Sequence, residues 1–135
     1  MPPEVSGPED PREWLRRARS NLARARAGQT TADVLFEDLC FDAEQACEKA
    51  FKALLVLRGL AVPRTHAIAE LLSRLEVARF DLPEAVKDAA GLTDYAVASR
   101  YPGAEPVTVD DYRLALRTAE GVVAWAAGYI HTRTK

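Results

Sequence analysis

Hydrophobic residues recur at helical spacing along most of the chain, and no segment alternates between apolar and polar positions as a strand does. The clearest stripe lies between about residues 30 and 58, where apolar positions step alternately by four and three. Its members are Phe36, Cys40, Ala43, Cys47, Ala50, Leu54 and Leu57. This spacing is typical of a long helix that packs against other helices along one seam.

Capping and helix-breaking residues divide the pattern into about five helices. Asp10 and Pro11 are suited to begin the first helix, Glu13 to complete a capping box, and Gly28 to end it. The later helices are predicted from Thr30 or Thr31 to about Arg58, from about His66 to Arg79, from a capping box of Asp81 and Glu84 to Pro102, and from a box of Thr108 and Asp111 to about Ile130. Short connections between them predict an all-α, up-and-down bundle.

The 135 residues suit one domain with a single core. We predict a bundle over residues 10–131, preceded by a flexible Pro-rich lead-in over 1–9 and followed by a tail over 132–135. The acidic first residues do not resemble a secretory signal, and no apolar run reaches membrane-spanning length. We therefore expect a cytoplasmic protein with no membrane segment.

The two cysteines, Cys40 and Cys47, lie on one helix face two turns apart. The roughly 10 Å between them is too far for a disulfide. No second cysteine pair or histidine cluster accompanies them, so a metal site is not expected. The sequence also has no Gly-rich phosphate loop, and no cofactor is expected. We expect buried, reduced thiols.

Charge is unevenly distributed along the chain. The net charge of −2 argues against a general nucleic-acid binder, which needs many cationic contacts to phosphates. The first helix nevertheless carries a run of arginines whose only acidic neighbour is Glu13. The run comprises Arg12, Arg16, Arg17, Arg19, Arg24 and Arg26. We interpret it as a solvated helix face, with RNA contact as the alternative.

Two segments carry sequence features beyond those that amphipathic helix packing requires. They are F-D-A-E-Q-A-C-E-K-A-F-K-A-L-L over 41–55 and Y-A-V-A-S-R-Y-P-G over 95–103. With Trp14, the A-R-S-N-L run over 18–22 and the P-R-T-H step over 63–66, they resemble the HEPN family of prokaryotic nucleotide- and RNA-associated domains. The resemblance covers about residues 11–131.

This resemblance implies a four-helix core that forms homodimers, of the type that partners minimal nucleotidyltransferases in toxin–antitoxin systems. It also implies a cleft for nucleotide or RNA. The residues expected to line that cleft are Glu44, Glu48, Lys49, Lys52, His66, Tyr95, Arg100 and Tyr101. Simpler interpretations stay open, because Glu48 and Lys52 have the spacing of an intrahelical ion pair and Arg100 suits a helix C-terminus.

Nuclease members of the family use an arginine followed, after four to six residues, by a histidine. In that chemistry the guanidinium binds the scissile phosphate and the imidazole transfers a proton. Arg100 matches the arginine, but Glu105 stands where the histidine would be. The leading hypothesis is therefore a non-catalytic binding module. The alternatives are a metal-independent endoribonuclease using Arg100 with Glu105 or His66, and a non-catalytic dimerisation module.

Overall fold

The computed structural model describes residues 9–93, 102–103 and 105–133. These residues form five α-helices and one 3-10 turn, and they contain no strand. The helices are α1 (Pro11–Ala27), α2 (Phe36–Leu57), α3 (Ile68–Val77), α4 (Glu84–Lys87) and α5 (Val109–Arg133), and the 3-10 turn over Asp88–Gly91 follows α4. The predicted all-α, up-and-down bundle of about five helices is confirmed.

Helix α2 is the centre of the bundle, in contact with α1, α3 and α5. Its predicted apolar seam is buried from Cys40 to Leu54, while Phe36 and Leu57 at its two ends are half-buried. Both cysteines are free and buried, and burial raises the pKa of the Cys40 thiol to about 11. In the described ranges, no helix is both long enough and apolar enough to cross a membrane.

Helix α1 begins and ends where the sequence predicts. The Asp10 carboxylate accepts a hydrogen bond from the Arg12 amide at 2.9 Å, Pro11 follows the cap, and Gly28 ends the helix at a φ of 72°. The predicted role of Glu13 in a capping box is wrong. Its carboxylate binds Arg16 and Arg17 side chains at 2.9 and 2.8 Å, because charged donors compete better than a neutral amide.

The start of α2 differs from the prediction. The helix begins at Phe36 rather than at Thr30 or Thr31, and Leu35 is its N-cap residue. Thr31 instead closes a local turn, in which its hydroxyl accepts from the Asp33 amide at 3.2 Å and its carbonyl accepts from the Val34 amide at 3.2 Å. Threonine hydroxyls can hydrogen-bond to nearby backbone amides, and such bonds favour a turn over a helix.

The predicted fourth helix is also different. Asp81 does not cap it, because α4 begins at Glu84 and its N-cap residue is Pro83, which makes no side-chain capping bond. The α-helical geometry tightens into the 3-10 turn after Lys87 and resumes at Leu92 and Thr93. Most of the remainder of the predicted helix, over 94–101, lies outside the described residues.

The other predicted helix boundaries agree more closely with the structure. Helix α3 is two residues shorter at each end than the predicted span of 66–79. The capping box before α5 is confirmed, since the Thr108 amide donates to Asp111 Oδ2 at 3.0 Å and the Asp111 amide donates to Thr108 Oγ1 at 3.1 Å. Short-range capping signals therefore located the starts of α1 and α5, two of the three helices that pack on α2.

Candidate functional site

Helix α2 carries charged side chains into the interior of the bundle. Glu44 is fully buried, and Glu48 and Lys52 are 2% and 7% exposed. Their spacing of four residues places all three on one face of the helix. Because a buried charge is costly unless it is paired and hydrogen-bonded, the bundle keeps this polar face at an energetic cost.

Glu48 is the hub of this face. Lys52 Nζ donates to Glu48 Oε2 at 2.8 Å, and Gln45 Nε2 donates to Glu48 Oε1 at 3.0 Å. From the loop before α3, His66 Nδ1 lies 3.2 Å from Glu48 Oε2. We call the five residues Glu44, Gln45, Glu48, Lys52 and His66 the α2 polar cluster.

Glu44 is incompletely satisfied. Its Oε1 accepts from Gln45 Nε2 at 2.9 Å, whereas its Oε2 has no hydrogen-bond partner in the part of the chain that the structure describes. Burial raises the pKa of Glu44 to about 7, against the opposing effect of the Gln45 hydrogen bond and with a further contribution from the Glu48 charge. Near neutral pH this carboxyl is thus present both as an acid that donates and as a carboxylate that only accepts.

His66 connects the cluster to solvent. Its side chain is 80% exposed, although Nδ1 contacts the buried Glu48 carboxylate. Thr65 Oγ1 accepts from the Ala67 amide at 3.0 Å and fixes the turn that presents the imidazole. On the opposite side, the Trp14 ring centroid lies 5.7 Å from Lys52 Nζ, which is within the range of a cation–π contact.

A second polar network joins α1 to the same helix. Lys49 Nζ donates to Asn21 Oδ1 at 2.7 Å, and Asn21 Nδ2 donates to Asp42 Oδ1 at 3.0 Å. Arg24 Nε lies 3.4 Å from Asp42 Oδ2. Lys49 therefore lies beside α1, not among the groups that contact Glu48.

The predicted site residues fall into four groups. Glu44, Glu48, Lys52 and His66 lie together in the cluster, and Lys49 lies in the neighbouring network. Glu105 is exposed to solvent. The remaining three predictions, Tyr95, Arg100 and Tyr101, fall outside the described residues.

Three polar residues of these networks, Gln45, Asn21 and Asp42, are not among the site residues predicted from the sequence. Gln45 bridges both carboxylates, and Asn21 joins Lys49 to Asp42. Asn21 occupies a buried position of α1 beside Leu22, and a polar residue at such a position is a signal that the sequence contains. Among the described residues, no group of three potential ligands is placed to hold a metal ion.

Comparisons with known proteins agree with this architecture. The family model described as HEPN domain matches residues 11–129. The crystal structure of TT1696 from Thermus thermophilus has 33% sequence identity and a TM-score of 0.74, over 87% of this chain and 96% of that one. The crystal structure of ST0689, an archaeal HEPN homologue, has 25% identity and a TM-score of 0.69, over 90% of this chain and 98% of that one. No curated protein matches the sequence.

Fold and site together define a helical-bundle domain with a charged cluster on its central helix. The match of the family model to nearly the whole chain then makes the identification specific: the chain belongs to the HEPN domain family. Membership supports a nucleotide- or RNA-related module in general terms.

Proposed function

We propose that this protein is a non-catalytic binding module for nucleotides or RNA, and that the α2 polar cluster is its binding site. One observation carries the proposal. Two buried carboxylates, Glu44 and Glu48, lie on adjacent turns of α2, and one oxygen of Glu44 has no partner within the described residues. Replacement of buried ion pairs by apolar residues of similar volume is often neutral or stabilising, so the stability of the bundle does not by itself account for these groups.

The chemistry of the cluster selects the part of a nucleotide that it contacts. Carboxylate oxygens accept hydrogen bonds, so Glu44 and Glu48 suit the amino and imino groups of a base or the hydroxyls of ribose. They repel phosphate. Because Glu44 has a pKa of about 7, it can also donate to a ring nitrogen or a carbonyl.

The remaining site predictions belong to the same proposal. Tyr95 and Tyr101 would stack on a base, and Arg100 would bind a phosphate, as these residue types do in RNA recognition. We further propose that the module acts as a cytoplasmic homodimer beside a minimal nucleotidyltransferase in a toxin–antitoxin system. The support for this partnership is the resemblance of the segments over 41–55 and 95–103 to that branch of the family.

Calorimetric titration of the full chain tests the site, with ribonucleoside mono- and triphosphates and a short single-stranded RNA as probes. Glu48→Gln removes the charge but keeps the shape, and we expect it to weaken binding about tenfold or more, since a hydrogen bond to a charged group contributes about 1.5–3 kcal/mol. The matched control is Glu70→Gln, an exposed position on α3. Failure of every probe to bind, or equal affinity in both variants, would overturn the proposal.

One observation favours an enzyme as the second candidate. The His66 imidazole is exposed while Nδ1 contacts the Glu48 carboxylate, an arrangement that orients a general base. With Arg100 on the scissile phosphate and His66 or Glu105 transferring the proton, the module would act as a metal-independent endoribonuclease. Cleavage of RNA in the presence of a chelator should then be lost in Arg100→Ala and in at least one of His66→Ala and Glu105→Gln, and it should be kept in His131→Ala. Cleavage that persists in Arg100→Ala would come from a contaminant and would exclude this candidate.

The third candidate is a non-catalytic dimerisation module. In that case Glu48→Gln and Arg100→Ala would change stability or self-association, measured by unfolding and sedimentation, and no probe would bind. The same variants therefore separate all three candidates.

A further inference from the structure

A groove with a volume of about 310 Å³ runs between α1 and α2, on the side where Lys49 meets Asn21. Its lining is polar and mostly basic. The lining residues are Arg16, Arg17, Ser20, Asn21, Arg24 and Lys49. We call this feature the α1–α2 groove.

The groove is positively charged although the chain as a whole has a net charge of −2. Four of its six lining residues are cations. Among the described residues, two carboxylates form ion pairs with them, those of Glu13 and Asp42. Four positive and two negative charges leave an excess of two positive charges, which is a local field suited to an anion.

Lys49 differs from a typical surface lysine because its ammonium is partly shielded from solvent. Its side chain is half-buried, burial lowers its pKa, and its ammonium donates to an amide oxygen of Asn21 at 2.7 Å. A partly desolvated ammonium gains more from a bound anion than a solvated one does.

The arginines can turn to an anion at small cost. Arg24 is 72% exposed and lies 3.4 Å from Asp42, and the guanidiniums of Arg16 and Arg17 share the one carboxylate of Glu13. The arginine ends of these pairs are solvent-exposed, so water competes with the carboxylates for the guanidiniums and weakens the pairs. Guanidinium groups also bind phosphate oxygens in a bidentate way that few other side chains can match.

We propose that the α1–α2 groove binds a phosphate group of the ligand whose base or ribose occupies the α2 polar cluster. Lys49 in the groove and Lys52 in the cluster lie three residues apart on α2, so one extended ligand can reach both. Phosphate binds in the positive groove and the hydrogen-bond donors of the nucleoside bind the carboxylates. This inference rests on the proposed function, and it gives the arginine-rich helix a role beyond that of a solvated face.

Fluorescence anisotropy with a labelled single-stranded RNA tests the groove. We expect Arg17→Gln and Lys49→Gln each to weaken binding several-fold, and to reduce the slope of log affinity against log salt by roughly 0.7 for each phosphate that the protein no longer neutralises. The matched control is Arg19→Gln, on the same helix and not among the groove residues. Equal effects of Arg17→Gln and Arg19→Gln, or no effect of Arg17→Gln and Lys49→Gln, would overturn the proposal.

Two probes, inorganic tripolyphosphate and a mononucleotide, distinguish binding at the groove from binding at the cluster. Inorganic tripolyphosphate should compete with the RNA in the wild type and should still bind Glu48→Gln, because it needs the groove alone. If Glu48→Gln abolishes RNA binding while the groove variants bind normally, the groove proposal fails and the proposed function stands. If tripolyphosphate and RNA bind the groove but Glu48→Gln changes nothing, the cluster fails instead. Tighter binding of RNA than of a mononucleotide identifies the phosphate source as a strand.

Discussion

Lys52 Nζ lies 2.8 Å from Glu48 Oε2, one turn away on α2, and both side chains are more than nine-tenths buried. Surface pairs with this spacing contribute a few tenths of a kcal/mol to a helix. In the interior the same pair carries a desolvation cost that its mutual attraction offsets only with good geometry. The ion pair therefore offsets part of the cost of burying the Glu48 charge in the core. Glu48 also contacts Gln45 and His66 there.

Removal of the lysine charge should destabilise the bundle. Lys52→Met leaves Glu48 buried without its ammonium partner, and we expect a loss of about 3 kcal/mol in the free energy of unfolding, measured in urea. The double variant Lys52→Met with Glu48→Gln should recover much of that loss, because the uncompensated charge is then gone. A double variant less stable than Lys52→Met alone would contradict this account of the pair.

Protonation of Glu44 should couple stability to pH. Its pKa rises from an ordinary value of 4.5 to about 7 on folding, so the folded state holds the proton more tightly. The resulting stabilisation is fully present below about pH 4.5 and is lost as the pH rises through about 7. Glu44→Gln avoids the ionisation, so its stability relative to wild type should increase over this range by up to about 3 kcal/mol.

Chemical unfolding at a series of pH values measures this difference. Glu70→Gln, at an exposed position on α3, is the control for a general effect of removing one carboxylate. The stability difference between Glu44→Gln and wild type could stay constant with pH, or it could rise equally for Glu70→Gln. Either result would show that burial does not raise the pKa of Glu44.

Much of the fold could be predicted from the sequence because its signals are local. Asp10 with Pro11 and Thr108 with Asp111 act within one turn of the helices that they begin. The start of α2 could not be placed, because Thr31 closes a local turn with the Asp33 and Val34 amides, and a threonine that can cap a helix can equally form such a turn.

The candidate site could be predicted in part. Glu44, Glu48 and Lys52 share a face by their spacing alone. Their burial depends on what packs against that face, and periodicity does not contain this information. The contact of Glu48 with His66, and that of Lys49 with Asn21, each join residues from different elements, so only the tertiary structure could reveal them.

The end of α1 should be sensitive to the identity of residue 28. Gly28 has φ 72° and ψ −161°, a conformation that is essentially restricted to glycine, and Gly28→Ala should cost about 1–3 kcal/mol. Gly121→Ala, in the exposed interior of α5 where an added Cβ meets nothing within 4 Å, should instead stabilise by about 1 kcal/mol. Thermal unfolding of both variants tests the prediction, and a shift in the same direction for both would refute it.

Tyr112 should contribute to the attachment of α5 to α1. Its buried hydroxyl donates to the Ala25 carbonyl at 2.6 Å, so Tyr112→Phe leaves that carbonyl without this donor and should cost about 1 kcal/mol. Tyr129→Phe is the control, since its hydroxyl accepts from Arg58 at an exposed site. Comparable losses in urea unfolding of the two variants would count against a specific role for the Tyr112 bond.

The central claim is that the α2 polar cluster contacts a nucleotide. Proton–nitrogen NMR spectra of the labelled full chain, recorded as a ribonucleotide is added, test it most directly. We predict saturable shifts centred on the amides of Gln45, Glu48 and Lys52 and on the side-chain nitrogens of His66, and their loss in Glu48→Gln but not in Glu70→Gln. Unchanged spectra at millimolar nucleotide, or shifts confined to residues away from the cluster, would contradict the claim.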